Sequence, residues 1–169
     1  MTTHKTLLIV YHSMTGGTRQ MVDAAHQGAL AAQAESGVHI KVLHAGEATP
    51  ADVLDADGYL FATPENLAAI NGQLKDFFDR CYYPALDRIN GRPYAVMVCA
   101  GSDGTNAVRQ LDRIATGWRL KRVAEPVLVC TRAQTPEAIA APKVIGLEDL
   151  KRCEELGEAL ACGVGMGVF

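Results

Sequence analysis

The chain has 169 residues, of which 49% are hydrophobic and 21% charged, with a formal net charge of −3. That length supports a single domain, residues 1–169, whose core needs no disulfide or metal. The charge balance and the scattered Lys and Arg argue against a nucleic-acid or anionic-membrane surface, and no apolar run approaches the length of a membrane span.

Met1-Thr2-Thr3-His4-Lys5 leads straight into an apolar run, leaving no room for a signal peptide, so a cytoplasmic location is expected. Leu7 to Tyr11 reads as a buried strand. The loop Ser13-Met14-Thr15-Gly16-Gly17-Thr18 follows, and then an Ala-rich stretch with Met21, Ala25, Ala29 and Ala32 at helical spacing. His39 to Leu43 is a second strand, and between Thr49 and Asp55 there is room for a short helix or turn. Gly58 to Ala62 reads as a third strand. After a loop from Thr63 to Asn71 comes a helix with Leu74, Phe77, Phe78 and Cys81 on one face, both phenylalanines being core candidates. Tyr94 to Ala100 is the fourth strand. Ser102 or Asp103 can cap the helix that carries Val108, Leu111, Ile114, Ala115 and Trp118. Pro126 to Cys130 closes the set of five strands. Gly146 marks the turn into a last helix with Leu150, Cys153, Gly157 and Leu160, and the apolar, Gly-rich tail Ala161 to Phe169 is expected to pack on the domain or join a subunit interface.

Five strands alternating with helices define an open α/β domain with a five-stranded parallel sheet buried on both faces. Right-handed crossovers put all strand-to-helix loops on one edge, where such sheets bind ligands. Three loops then converge: Ser13 to Thr18, Thr63 to Asn71 and Ala100 to Gly104. The five cysteines are odd in number, well separated and without a CxxC pair, so they read as reduced thiols, and no metal site is expected. The five histidines form no ligand cluster, and His12 reads as a strand-end residue partly facing solvent. No Ser-His-Asp arrangement is suggested by the spacing.

The first loop has the chemistry of an anion cradle. Its glycines let the backbone wrap an anion, the first free N–H groups of the helix point at it, and Ser13, Thr15 and Thr18 add hydroxyl donors. A Ser/Thr capping box with a glycine turn is the plainer alternative. The Walker pattern GxxxxGK[ST] is absent, GxGxxG does not follow the first strand, and that strand ends in Tyr-His-Ser rather than in the cysteine of a phosphatase loop.

Ser-Met-Thr-Gly-Gly-Thr resembles the phosphate loop of the flavodoxin-like superfamily, in which [ST]-x-T-G-x-T holds the phosphate of FMN. The second loop, Thr63-Pro64-Glu65-Asn66-Leu67 with the downstream Leu74-Lys75-Asp76-Phe77-Phe78-Asp79-Arg80, is similar to the corresponding segment of NAD(P)H-dependent FMN reductases. The resemblance spans nearly the whole chain. It implies a flavodoxin-like three-layer sandwich with strand order 2-1-3-4-5, binding FMN through Ser13, Met14, Thr15, Gly16, Gly17 and Thr18 at the phosphate. Pro64, Glu65, Asn66 and Leu67, with Ala100, Gly101, Ser102, Asp103 and Gly104, would contact the ring. No Lys or Arg lies in the phosphate loop, so neutral donors would hold the anion, and Arg19 is expected to face solvent. Many relatives stack a Tyr, Phe or Trp on the ring from the second loop, where this chain offers Asn66, Leu67 and Ile70. Asp103 would lower the reduction potential if it pointed at the ring, and has no such role if it caps the helix. The resemblance further implies an oxidoreductase with NADPH or NADH as donor, a quinone-like or other small-molecule acceptor, no catalytic side chain, and a homodimer. Arg132, after the fifth strand, is a candidate for the phosphates of the nicotinamide cofactor. A one-electron carrier docking to a protein partner, and a domain that has lost FMN, are the alternatives.

Overall fold

Side chains of a strand alternate between its two faces, and β1 (Thr6–Tyr11) is apolar on both. Leu8 and Val10 enter one core layer, Leu7 and Ile9 the other, and all four are fully buried. Such a strand folds stably only between two covered faces. In the computed structural model, which describes residues 4–169, β1 is central, and the expectation for Met1, Thr2 and Thr3 lies outside the described residues.

Around β1 lie β2 (His39–His44), β3 (Gly58–Asn66) and β5 (Pro93–Ala100), in the order β2-β1-β3-β5 and all parallel. The sheet has seven strands among the described residues rather than the five expected. Two differences account for this. The outer lane beside β5 is filled by two pieces, β6 (Lys121–Arg122) and β7 (Val127–Cys130). Pro126, which has no N–H, stands just before β7, so a ladder cannot run through that point unbroken. The other difference is a hairpin: β3 does not stop at Ala62 but continues through Pro64 to Asn66, then returns antiparallel as β4 (Ala69–Ile70). The segment Thr63 to Asn71 is thus mostly a β-hairpin, not a loop.

The two covering layers differ in composition. On one face α2 (Pro50–Asp55), α3 (Gly72–Ala85) and α4 (Thr105–Gly117) enclose an aromatic cluster of Tyr59, Phe61, Phe77, Phe78 and Trp118. Both Phe77 and Phe78 are core, as the helical spacing suggested. On the other face α1 (Gly17–Ser36) and α6 (Leu147–Met166) pack backbone to backbone. A Cβ added at Gly28 would lie 1.9 Å from the Glu154 carbonyl oxygen, and one at Gly157 1.9 Å from that of Ala25. These glycines, with Ala25, Ala29, Ala32 and Ala161, make the close approach possible. The tail packs on its own helix, with the Phe169 ring seated against Gly163 and the Val168 N–H donating to the Gly163 carbonyl.

A short helix not foreseen from the sequence, α5 (Pro136–Ala140), lies between β7 and α6. Thr135 caps it, accepting from the Ala138 N–H at 3.2 Å. Thr49 caps α2 with a reciprocal bond to Asp52, and Gly146 is the N-cap of α6, at the turn expected there.

Candidate functional site

Parallel strands present their carboxyl ends to one edge, and there the segments after β1, β3 and β5 meet around a cavity of about 360 Å³. Twelve of the fifteen residues singled out from the sequence line it: Ser13, Met14, Thr15, Gly17 and Thr18; Pro64, Glu65, Asn66 and Leu67; Ala100, Gly101 and Ser102. Gly16, Asp103 and Gly104 do not. Gly16 (φ 88°) and Gly104 (φ 81°) are the left-handed N-caps of α1 and α4 and shape the loops from behind. The Asp103 carboxylate turns onto Thr105, accepting from its hydroxyl at 2.9 Å and from its N–H at 3.4 Å. Asp103 thus supports the start of α4, while the N-cap position itself belongs to Gly104.

The first loop is held open by specific bonds. Ser13 Oγ accepts from the Arg19 N–H at 3.2 Å, leaving its own O–H free to donate. Gln20 bridges outward: its Nε2 donates to the Gly16 and Lys143 carbonyls at 3.0 and 2.7 Å, and its Oε1 accepts from the Ile145 N–H at 3.0 Å. The Lys143 N–H closes the clasp on the Thr15 carbonyl at 2.8 Å. Gly17 admits no side chain, since a Cβ there would meet Cys99 Sγ at 2.7 Å. Arg19 does face away from the cavity, bonding Asp23 at 2.9 Å and the Tyr11 hydroxyl at 3.0 Å.

Thr18 carries the sharpest electrostatic signal. Its hydroxyl is buried and has no hydrogen-bond partner within the chain, the one such side-chain oxygen or nitrogen among the described residues. A buried orphan hydroxyl costs about 1–3 kcal/mol, which a ligand or water able to bond it would offset.

The β3–β4 hairpin forms the opposite wall. Its two-residue tip, Leu67 (φ 51°) and Ala68 (φ 61°), has the left-handed conformation of a type I′ turn without the Asn or Gly that suits it. Neighbouring elements hold it there. Asn106 Nδ2 donates to the Ala68 carbonyl at 2.5 Å, and Gln110 Oε1 accepts from the Ile70 N–H at 2.9 Å. Asn71, buried at the start of α3, caps that helix through Oδ1, which accepts from the Gln73 N–H at 2.8 Å. Its Nδ2 donates to Asn66 Oδ1 at 2.8 Å and reaches Met14 Sδ at 3.8 Å. One side chain therefore links the first loop, the hairpin and α3.

Sequence reasoning missed the third wall. Thr131, Ala133, Ile139 and Lys143, from the segment that includes α5, also line the cavity, as does Cys99. Burial pushes the Cys99 thiol up to about 11, so it is protonated at neutral pH and is no nucleophile. Arg132 has a left-handed backbone (φ 57°) and stands between two lining residues without itself reaching the wall. His12 departs from the expectation. It is buried, and its Nδ1 lies 2.8 Å from His44 Nε2, while His44 Nδ1 accepts from the Gly46 N–H at 3.1 Å. Burial first, and the neighbouring His44 second, hold the His12 pKa below its ordinary value.

The parallel order β2-β1-β3-β5, with helices covering both faces, is the flavodoxin-like arrangement, and solved structures agree with it in fold. A flavodoxin from the domain Archaea superimposes with a TM-score of 0.74 at 16% identity, covering 94% of this chain and 98% of that one. A Streptococcus pneumoniae TIGR4 flavodoxin gives 0.70 at 22% identity, covering 94% and 99%. Among curated relatives, a flavodoxin of Aquifex aeolicus is 30% identical across 58% of this chain and 51% of its own length. An NAD(P)H dehydrogenase (quinone) of Acidithiobacillus ferrooxidans is 32% identical across 44% and 46%. The chain spans about half the length of the curated relatives it matches.

The narrower assignment comes from the family model of the NADPH-dependent FMN reductases, which matches residues 6–135, more than half of the chain. The chain belongs to that family, and its fold is flavodoxin-like. The residues present suit the cofactor of that family. The orphaned Thr18 hydroxyl, the free Ser13 O–H and the side-chain-free Gly17 backbone at a helix start match a phosphate.

Proposed function

We propose that this protein is an FMN-dependent oxidoreductase that takes reducing equivalents from NADPH or NADH and passes them to a quinone or another small acceptor. In this reading the chain is one domain working in the cytoplasm, as a homodimer. The flavin phosphate would be held by Ser13, Thr15, Gly17 and Thr18, and the Pro64–Leu67 arm and the Ala100–Ser102 turn would contact the ring. The observation that carries the reading is the convergence of these three segments on one cavity with an unpartnered hydroxyl at its phosphate end.

Bound FMN supplies hydride acceptance and onward electron transfer. The protein's part is placement. Thr18 and Ser13 would donate to the phosphate, and the clasp of Gln20 on Gly16, Lys143 and Ile145 holds the loop in shape. Asn71 fixes the distance between phosphate loop and hairpin through Met14 and Asn66. Pro64 stiffens the arm that would lie beside the ring. Cys99, neutral and buried under the loop, adds no charge to the site. Glu65 and Lys143 are the charged side chains on the wall, and this reading assigns the redox chemistry to the cofactor rather than to either of them.

The visible absorption of the purified protein, with FMN and then NADPH or NADH added, tests this directly. Flavin absorption that bleaches with the nicotinamide and recovers with a quinone is expected. FMN binding without reduction by either nicotinamide would favour a one-electron carrier docking to a protein, the reading supported by the Aquifex aeolicus flavodoxin. Failure to bind FMN would overturn both.

A further inference from the structure

The phosphate loop contains no cation, but the fold delivers one from a distant part of the chain. Lys143 lines the cavity together with Thr15, Gly17 and Thr18. Its backbone is fixed there at both ends of the residue: its N–H donates to the Thr15 carbonyl at 2.8 Å and its carbonyl accepts from Gln20 Nε2 at 2.7 Å. A Cβ on Gly17 would lie 3.3 Å from Lys143 Cβ, so the lysine stem rests directly on the loop.

Among the described residues the ammonium has no carboxylate partner. It donates instead to three carbonyls at the end of α5, those of Ala138 at 2.8 Å, Ile139 at 2.9 Å and Ala141 at 2.6 Å. Ile139 is itself a lining residue. The carbonyl end of a short helix therefore stands beside the cavity, and partial negative charge there opposes a dianion. Lys143 covers that charge with its ammonium, while its backbone and stem rest on the loop that carries the anion donors.

We propose that Lys143 is the counter-charge of the cavity's phosphate group and the residue that makes the site prefer a phosphorylated flavin over an unphosphorylated one. This rests on the flavin reading above. All three ammonium donors are occupied by carbonyls, so direct engagement of a phosphate exchanges at least one of them for an anionic oxygen, a stronger acceptor. The charge also acts without contact, by offsetting the carbonyl end of α5.

The test is titration of the full chain with FMN and, separately, with riboflavin, followed by flavin fluorescence quenching at low and high salt. Lys143→Met keeps the stem and removes the charge, and Lys143→Arg keeps the charge. Lys143→Met is expected to weaken FMN about ten- to hundredfold, the range for a lost hydrogen bond to a charged group, with riboflavin nearly unchanged. Lys143→Arg should retain most FMN affinity, and the salt dependence of wild-type FMN binding should flatten in Lys143→Met. Equal losses for both flavins would assign Lys143 a merely structural role and overturn the proposal, as would unchanged FMN affinity. Wild-type protein that binds neither flavin would instead overturn the flavin reading itself, a result distinct from either.

Discussion

The two ends of the cavity are built on opposite terms. At the phosphate end the positive backbone angle falls on a glycine, Gly16, whose carbonyl Gln20 clasps, and the Thr18 hydroxyl is buried. At the hairpin end the positive angles fall on Leu67 and Ala68, and the Leu67 side chain is wholly exposed. The first end carries its positive angle on a residue that adopts it without strain. The second stores backbone strain of order 1–3 kcal/mol per residue and presents an apolar side chain to solvent. Strain persists at a site only where neighbours impose it, and here Asn106, Gln110 and Asn71 do so. On the proposed function the difference would divide labour, with affinity at the buried end and encounter with a redox partner at the exposed one.

The foundation of the phosphate end is the α1–α6 contact, and breaking it has the largest expected effect. In Gly157→Ala the new methyl carbon would start 1.9 Å from the Ala25 carbonyl oxygen, so the helices must part. Overpacking of this kind costs about 1–3 kcal/mol or more, which in a chain of this size lowers Tm by roughly 2–12 °C. A thermal melt checks this, and an unchanged Tm would mean that α6 is not seated on α1 as described. The same substitution at Gly91, where a Cβ has no neighbour within 4 Å but φ is 78°, supplies a control for backbone strain alone.

Thr18→Val sharpens the comparison because its two expected effects have opposite signs. Removing an unpartnered buried hydroxyl leaves the ligand-free protein as stable or more stable, by up to about 1 kcal/mol. Removing a donor to a dianion weakens FMN by about 1.5–3 kcal/mol, roughly ten- to hundredfold. Denaturant melts and FMN titration read the two effects separately. A variant that loses stability and keeps its FMN affinity would show that Thr18 Oγ1 is not a ligand donor.

The same division explains what the sequence disclosed. β1 announced itself because Leu7, Leu8, Ile9 and Val10 are apolar without alternation, which only a doubly covered strand requires. The phosphate loop announced itself because glycines and hydroxyls before a helix are a local signature. The hairpin was hidden, since Leu-Ala is not a pair that favours a type I′ turn, and tertiary bonds from α4 impose it. Lys143 was hidden for a related reason: it reaches the loop through Gln20, 123 residues away along the chain, and no local pattern encodes that contact. The His12–His44 pair joins the ends of two strands and is legible only once their order is known.

At the hairpin, Leu67→Asn combined with Ala68→Gly installs residues that tolerate the left-handed conformation. Relief of strain is expected to stabilise the protein by about 1–2 kcal/mol, visible as a higher denaturation midpoint with an unchanged slope. FMN affinity should hardly move, because the phosphate donors are untouched. Turnover with an apolar acceptor should fall, because the exposed Leu67 side chain is gone. If the double variant instead loses FMN, the hairpin contributes to holding the cofactor and the division between the two ends is wrong.

The smallest expected effect is the dependence of stability on pH through His12. Its pKa in the folded protein lies below the ordinary value of 6.5, chiefly because the ring is buried and secondly because His44 faces it. The unfolded chain therefore binds a proton first as pH falls. The contribution of neutral His12 is fully present above about pH 6.5 and is lost progressively as pH drops through the folded value. The bonding order gives the structural reason. The Gly46 N–H occupies His44 Nδ1, which places the His44 proton on Nε2 and leaves His12 Nδ1 as the acceptor. A proton arriving at His12 Nδ1 would put two donors face to face. Tyr11 meets the edge of the His44 ring at 5.8 Å, and the Arg19 guanidinium lies over Tyr11 at 5.7 Å. In His12→Phe, stability measured between pH 5 and 8 should lose part of its acid-side decline, while His26→Phe, at a histidine outside this pair, should keep it. An unchanged decline in His12→Phe would place the acid sensitivity elsewhere and leave the strand-end pair as packing alone.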